Sequence, residues 1–186
     1  MIITARLHVA AICIALAAMS VQAATTNARD PLTHFFSQSL GDFHEELAVA
    51  REQGKLGILL MFQQEECPYC HRMKTTILNQ PDVQDYFRQH FLAFQVDVEG
   101  DVTITDFTGQ PVLEKDFAFK LNRVRATPVF AFFDLDGNRI ERFTGATSSK
   151  EEFMLLGEFV VSGAHKTTNF NQYKRERMQP KSAQAQ

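Results

Sequence analysis

The chain has 186 residues, a formal net charge of -3, 45% hydrophobic residues and 11% aromatic residues. These values suit one globular domain and exclude collagen-like, coiled-coil and intrinsically disordered sequences for most of the length. No run of five like charges occurs, so charge gives no reason to expect nucleic acid as a partner. The aromatic residues, 17 Phe, 3 Tyr and no Trp, read as a Phe-rich core, because base-stacking platforms need interleaved basic residues that are missing here.

The first 23 residues carry Arg6 and His8, then the apolar stretch Val9 to Met19, then Val21-Gln22-Ala23. This is the pattern of a secretory signal peptide cleaved after Ala23. The apolar run is shorter than the ~20 residues of a comfortable membrane span, which leaves an uncleaved anchor as the alternative. Ile12 is too bulky for lipid attachment at Cys13. Cleavage leaves two cysteines, Cys67 and Cys70, in the oxidising periplasm. Their spacing closes too small a loop to stabilise the fold much. Residues 24–41 are expected to form an N-terminal extension.

Asp42 with Glu45 resembles a capping box, and Phe43, Leu47 and Ala50 recur at helical spacing up to Gly54, which predicts a helix over about 42–53. Leu56 to Phe62 is an apolar run that suits a strand buried on both faces. A helical pattern runs from Cys70 to about Asn79, and Pro81 opens another helix through Val83, Phe87 and His90. Phe91 to Val98 reads as a second strand. Residues 99–111 read as a loop or extended excursion before a helix carrying Leu113, Phe117 and Leu121. Val129 to Phe133 is a third strand, Asp136-Gly137 signals a hairpin, and Arg139 to Phe143 is the fourth strand. Ser149 and Glu152 repeat the capping logic ahead of a helix with Phe153, Leu156 and Val160. From 164 to 186 the chain is polar, with Lys174, Arg175 and Arg177, and is expected to be a flexible tail. The order predicts an α/β domain over 42–163, with a mixed sheet of about four strands and helices on both faces.

Cys67-Pro68-Tyr69-Cys70 lies between a buried strand and a helix, where unpaired N–H groups and the helix dipole favour a thiolate. Pro68 costs nothing at an early helical position. This arrangement makes Cys67 the exposed nucleophile and Cys70 the more buried resolving thiol. Thr127-Pro128 opens the third strand, a place where a cis proline would explain the residue.

The Cys-x-x-Cys between strand and helix, the Thr-Pro before the third strand, the hairpin and the closing helix together resemble the thioredoxin fold. The Gln-Glu-Glu-Cys-Pro-Tyr-Cys lead-in, the Asp106-Phe107-Thr108-Gly109 insertion and the Thr-Pro-Val-Phe-Ala-Phe-Phe-Asp-Leu-Asp-Gly segment resemble exported thioredoxin-like proteins of the SoxW type. The resemblance implies dithiol–disulfide exchange at Cys67 and Cys70 with Pro128 facing them, no bound cofactor, protein disulfides as substrates and a membrane-bound electron donor. Two positions depart from thioredoxins: Met61 stands where a buried Asp is usual and Glu66 where a Trp is. Proton transfer is therefore expected to fall to water, Glu65 or Glu66, with His71 offsetting part of the acidic charge around Cys67 only when protonated, which near pH 7 it mostly is not.

Other readings of the same residues are weaker. Cys67, Cys70 and His71 also spell Cys-x-x-Cys-His, a haem attachment signature, but a buried strand leads straight into it and Thr127-Pro128 would go unexplained. A zinc site would have only these three ligands. An oxidase or isomerase of the same fold, and a redox-inert binding module, are the remaining alternatives. The tetrapeptide also occurs in glutaredoxins, whose Gly-Gly glutathione loop is here Gly145-Ala146-Thr147. His34, His44, His90 and His165 share no spacing, and Asp97 with Asp106 reads as a pair of solvated loop carboxylates.

Overall fold

The computed structural model describes residues 27–178; the expected signal peptide and the end of the tail lie outside them. A short helix α1 (Pro31–His34) is followed by α2 (Phe43–Glu52), β1 (Gly57–Gln63), α3 (Pro68–Arg72), α4 (Pro81–His90) and β2 (Phe91–Asp97). Then come β3 (Thr103–Thr105), β4 (Pro111–Leu113), the short α5 (Glu114–Asp116), β5 (Val129–Phe133), β6 (Arg139–Thr144), α6 (Lys150–Val161) and α7 (Phe170–Met178). The main sheet has the order β2-β1-β5-β6. β2 runs parallel to β1, and β5 and β6 are antiparallel to their neighbours. The sheet is therefore mixed, as expected.

Period-two alternation sends the central strands' side chains to opposite faces, and both faces are apolar. Leu59, Met61, Phe91, Ala93, Phe130 and Phe132 pack with α3, α4, α6 and α7. Ile58, Leu60, Phe62, Leu92, Phe94 and Ala131 pack with α2 and the segment after α5. Phenylalanines fill both layers: Phe87 stacks on Phe153 with ring centroids 4.6 Å apart, and Phe107 lies 4.5 Å from Phe133 on the other side. The expectation of a Phe-rich core holds.

Helix starts follow the capping logic. The Asp42 carboxylate accepts the Glu45 N–H at 2.9 Å, and the Ser149 hydroxyl accepts the Glu152 N–H at 3.3 Å. Two helices widen at their ends: Met73–Ile77 and Phe117–Leu121 are π-helical, with Leu78 N–H donating to Met73 and Asn122 N–H to Phe117. The stretch expected to be a loop or extended excursion over 99–111 contains the antiparallel β3–β4 pair, with Asp106 in the turn between them. That carboxylate is buried rather than solvated, and it accepts the N–H groups of Thr108 and Gln110 and the Thr108 hydroxyl.

The expected flexible tail differs most. Residues 164–166 form a 3₁₀ turn, and α7 packs on α6 with Phe170 and Tyr173 buried. Lys174 donates to the Glu152 carboxylate at 2.6 Å, and Glu152 also receives the Ser148 N–H and hydroxyl. The N-terminal extension is anchored too, since Phe35 and Phe36 are buried in the α3/α4/α6 layer and Ser37 N–H donates to Ala93 on β2. Among the described residues no helix is long and apolar enough to cross a membrane.

Candidate active site

Three segments meet at the C-terminal end of β1. The first is the turn 64–67 running into α3. Cys67 is the N-cap of that helix, in extended backbone, and its sulfur accepts the Cys70 N–H at 3.1 Å. Pro68 occupies the first turn, where its missing N–H leaves nothing unsatisfied. Cys67 and Cys70 are joined as a disulfide with their Cα atoms 5.2 Å apart. Cys67 is 6% exposed and Cys70 1%. Cys67 is thus the slightly more exposed residue of the pair, and, against the expectation of an exposed nucleophile, both are buried in the disulfide form. Pro68 and Tyr69 stand outside them, Tyr69 at 63% exposure.

The second segment is the turn into β5. Phe62 pairs with Val129, so the residues just before Val129 lie beside those just after Phe62. The Thr127–Pro128 peptide bond is cis, and the Thr127 hydroxyl donates to the Gln64 side-chain oxygen at 3.3 Å. The third segment is the β6–α6 loop. Gly145 N–H donates to the Pro128 carbonyl at 2.8 Å, Arg72 donates to the Thr147 carbonyl at 2.6 Å, and the Thr147 hydroxyl contacts the Met73 sulfur at 3.7 Å. Arg72 and Thr147 therefore fix the loop to α3 from one side and Pro128 fixes it from the other. The sequence shows no sign of this contact, because Arg72 belongs to no motif, Thr147 reads only as the end of the Gly145-Ala146-Thr147 loop, and the two are 75 positions apart.

Met61 is fully buried beneath the cysteines in an apolar layer. Polar groups on that face of the sheet are Gln63, two residues along β1, and Gln95, paired in register with Met61. Between them lies the Lys74 ammonium, 3.2 Å from the Gln63 oxygen and 3.5 Å from that of Gln95. Burial holds this ammonium below its ordinary pKa. A half-buried cation on the site helix, one turn after Cys70, was not foreseen. The signal was present in Lys74 falling at i+4 from a cysteine on an otherwise buried face.

Glu65 and Glu66 are exposed. His71 is exposed as well and lines, with Arg29 and Lys74, a cavity of about 410 Å³ on the outer side of the helix. Among the described residues no three His, Cys, Asp or Glu side chains gather as a metal-ligating group. Asp97 caps the turn after β2 by accepting the Glu99 N–H, and it takes no part in the cysteine site.

A family model described as a thioredoxin-like domain matches residues 43–160, whereas no curated protein matches the chain. Among solved structures, the chain is similar to a thioredoxin-fold protein from Helicobacter pylori, with TM-score 0.53, 23% identity, and 67% of this chain and 80% of that one covered. A thioredoxin from Thermus thermophilus gives TM-score 0.51 and 26% identity over 67% of this chain and 88% of that one. A putative disulphide-isomerase from Bacteroides thetaiotaomicron gives 0.53 and 23% over 72% and 94%. The matched residues begin with α2 and end within α6, so they take in the whole four-stranded sheet and every segment that closes around the cysteines; the chain belongs to the thioredoxin-like domain family.

Proposed function

We propose that the protein is an exported, periplasmic thiol–disulfide oxidoreductase that reduces protein disulfides. The observation that carries this reading is the Cys67–Cys70 disulfide itself, whose Cys67 sulfur caps α3 just beyond β1, while the cis Thr127–Pro128 bond leads into the neighbouring strand β5. In the reduced protein the Cys67 thiolate keeps the Cys70 N–H as hydrogen-bond donor. It attacks one sulfur of a substrate disulfide, a Cys67–substrate bond forms, and the other substrate sulfur leaves as a thiolate and takes up a proton. Cys70, once deprotonated, attacks the Cys67 sulfur. The intramolecular disulfide closes, the second substrate thiol departs, and two electrons have passed to the substrate. A membrane-bound donor would then return two electrons and two protons to the pair.

Two features support the reducing direction. Glu65 and Glu66 place negative charge beside the sulfur that must become a thiolate, which works against the strongly stabilised reduced form that a dedicated oxidase requires. No basic side chain hydrogen-bonds either sulfur among the described residues. Export rests on the N-terminal sequence and on the likeness to SoxW-type proteins.

Cys70→Ala is expected to accumulate mixed disulfides between Cys67 and its substrates, recovered by non-reducing electrophoresis and dissolved by dithiothreitol. Cys67→Ala is expected to trap none. Trapping by the Cys67 variant alone would reverse the assignment of nucleophile and resolving thiol. A strong Soret absorbance in the purified protein would replace the reading with haem attachment.

A further inference from the structure

Four arginines gather beside the turn that leads to Pro128. Arg123 and Arg125 lie in that turn, and Arg139 and Arg142 lie on β6. The Arg142 guanidinium donates to the carbonyls of Asn122 at 3.2 Å and Arg123 at 3.4 Å, and Arg139 donates to the same Asn122 carbonyl at 3.4 Å. Arg125 donates to the carbonyls of Phe119 and Val124. The Arg142 pKa is lowered first by burial and then by Arg139 and Arg125, so the charges sit close enough to repel one another.

Backbone carbonyls satisfy these donors in part, but they carry no formal charge. Seven ion pairs occur among the described residues and none involves any of the four arginines. The buried Arg142 Nε has no hydrogen-bond partner among the described residues. Glu141, the adjacent carboxylate, is taken up by the Arg142 N–H. Two apolar side chains border the cluster, Phe119 and Leu121, each 53% exposed. The Arg125 guanidinium already stacks on the Phe119 ring, 3.5 Å from its centroid. Such stacking preorganises an arginine fork for carboxylates. In a chain of net charge -3, this is a cationic surface with no ion pair among the described residues; Arg125 lies two residues before Thr127, and Arg139 pairs with Phe133 at the other end of β5.

We propose that this surface docks an acidic segment of the partner protein whose disulfide is exchanged at Cys67, with carboxylates pairing to Arg123, Arg125 and Arg139 and an apolar side chain covering Leu121. The assignment rests on the oxidoreductase reading above. Complementary charge of this kind acts mainly on the rate of encounter, so the measurement is kinetic.

Two cystine peptides of equal length, one bearing a Glu cluster a few residues from the cystine and one a Lys cluster, are to be reduced by the reduced full chain. Hydroxyethyl disulfide serves as an uncharged control. The Glu peptide is expected to react about fivefold to tenfold faster at low salt, and the preference should collapse at about 0.5 M salt, where the Debye length is only a few ångströms. The double variant R123N/R139Q should erase the preference and leave the uncharged disulfide unaffected. Both residues are exposed, and asparagine tolerates the left-handed backbone at position 123, where φ is 53°. If the uncharged disulfide does not react, the oxidoreductase reading itself falls. If it reacts but the two peptides are equal, or the preference survives the double variant, the docking surface falls. Equal peptide rates together with wild-type binding to phosphatidylglycerol vesicles that the double variant loses would assign the surface to membrane lipid instead and overturn the protein partner.

Discussion

The Cys67 sulfur accepts the Cys70 N–H at 3.1 Å, whereas the two residues before it are exposed carboxylates. The hydrogen bond favours negative charge on sulfur and the carboxylates oppose it. The hydrogen bond acts at contact, while the carboxylates act through water, so it dominates. E65Q/E66Q is therefore expected to speed attack on an uncharged disulfide only about 1.5- to 3-fold at low ionic strength, with the gain fading as salt is added. Stopped-flow rates at two salt concentrations check both the size and the fading. At this scale the sequence was readable wherever a residue's chemistry and its backbone demand coincide, as in Cys67, Pro68 and Pro128. The roles of Lys74 and Thr147 were not readable because their places are set by contacts between segments, and nothing in their immediate neighbours announces such contacts.

Among the elements, α7 depends on one buried charge. Burial alone would raise the Glu152 carboxyl, but the hydrogen bonds from Lys174 and Ser148 outweigh burial and hold its pKa below the ordinary value of 4.5. A carboxylate depressed on folding adds stability that is fully present above its unfolded pKa and is lost as pH falls through its folded one. E152Q should therefore destabilise the protein by about 1–2 kcal/mol at neutral pH, with the difference from wild type shrinking below about pH 4.5. Urea denaturation across that range gives the difference directly. Subtracting the variant removes the opposite contributions of Glu46, Glu114 and Glu141, whose pKa values burial raises. Long elements with a regular apolar period were legible in advance, among them α2, α4, α6 and the four strands of the main sheet. The β3 and β4 strands, at three residues each, are too short for alternation to declare itself. α7 offers only Phe170 and Tyr173 against a polar background, and a single i, i+3 pair does not stand out from a tail. The π-helical turns arise from a shift of hydrogen-bond partner that leaves the side-chain pattern intact.

For the molecule as a whole, the balance at Cys67 sets where the couple stands among redox proteins. With one backbone donor and adjacent negative charge, the Cys67–Cys70 couple is expected at about -200 to -270 mV, the range of glutaredoxins and thioredoxin rather than the roughly -120 mV of a strong oxidant. Equilibration against glutathione or dithiothreitol buffers measures it, and a potential above about -150 mV would move the protein to the oxidase or isomerase reading. The whole-molecule plan was the most legible level. A mixed sheet of about four strands with helices on both faces follows from the order of elements, and the cysteines fall where the central strand hands over to a helix. The docking of residues 35–36 and 170–173 onto the helical layer was not legible, since Phe35, Phe36, Phe170 and Tyr173 lie outside any periodic segment.

The absence of tryptophan makes tyrosine the chain's only bright intrinsic fluorophore, and one of its three tyrosines, Tyr69, sits between the two cysteines. Tyr86 is a half-buried residue of α4 beside Phe87, with its pKa raised to about 12 by burial and then by Glu158 and Tyr173, and Tyr173 is a buried residue of α7, so neither borders the disulfide in sequence. Disulfides quench neighbouring phenols, and thiols do so far less. Reducing the pair should brighten the emission, and Tyr69→Phe should abolish that change while leaving turnover of a small disulfide intact. The protein thus carries a built-in optical readout of its own redox state, able to follow each half-reaction in real time without a label.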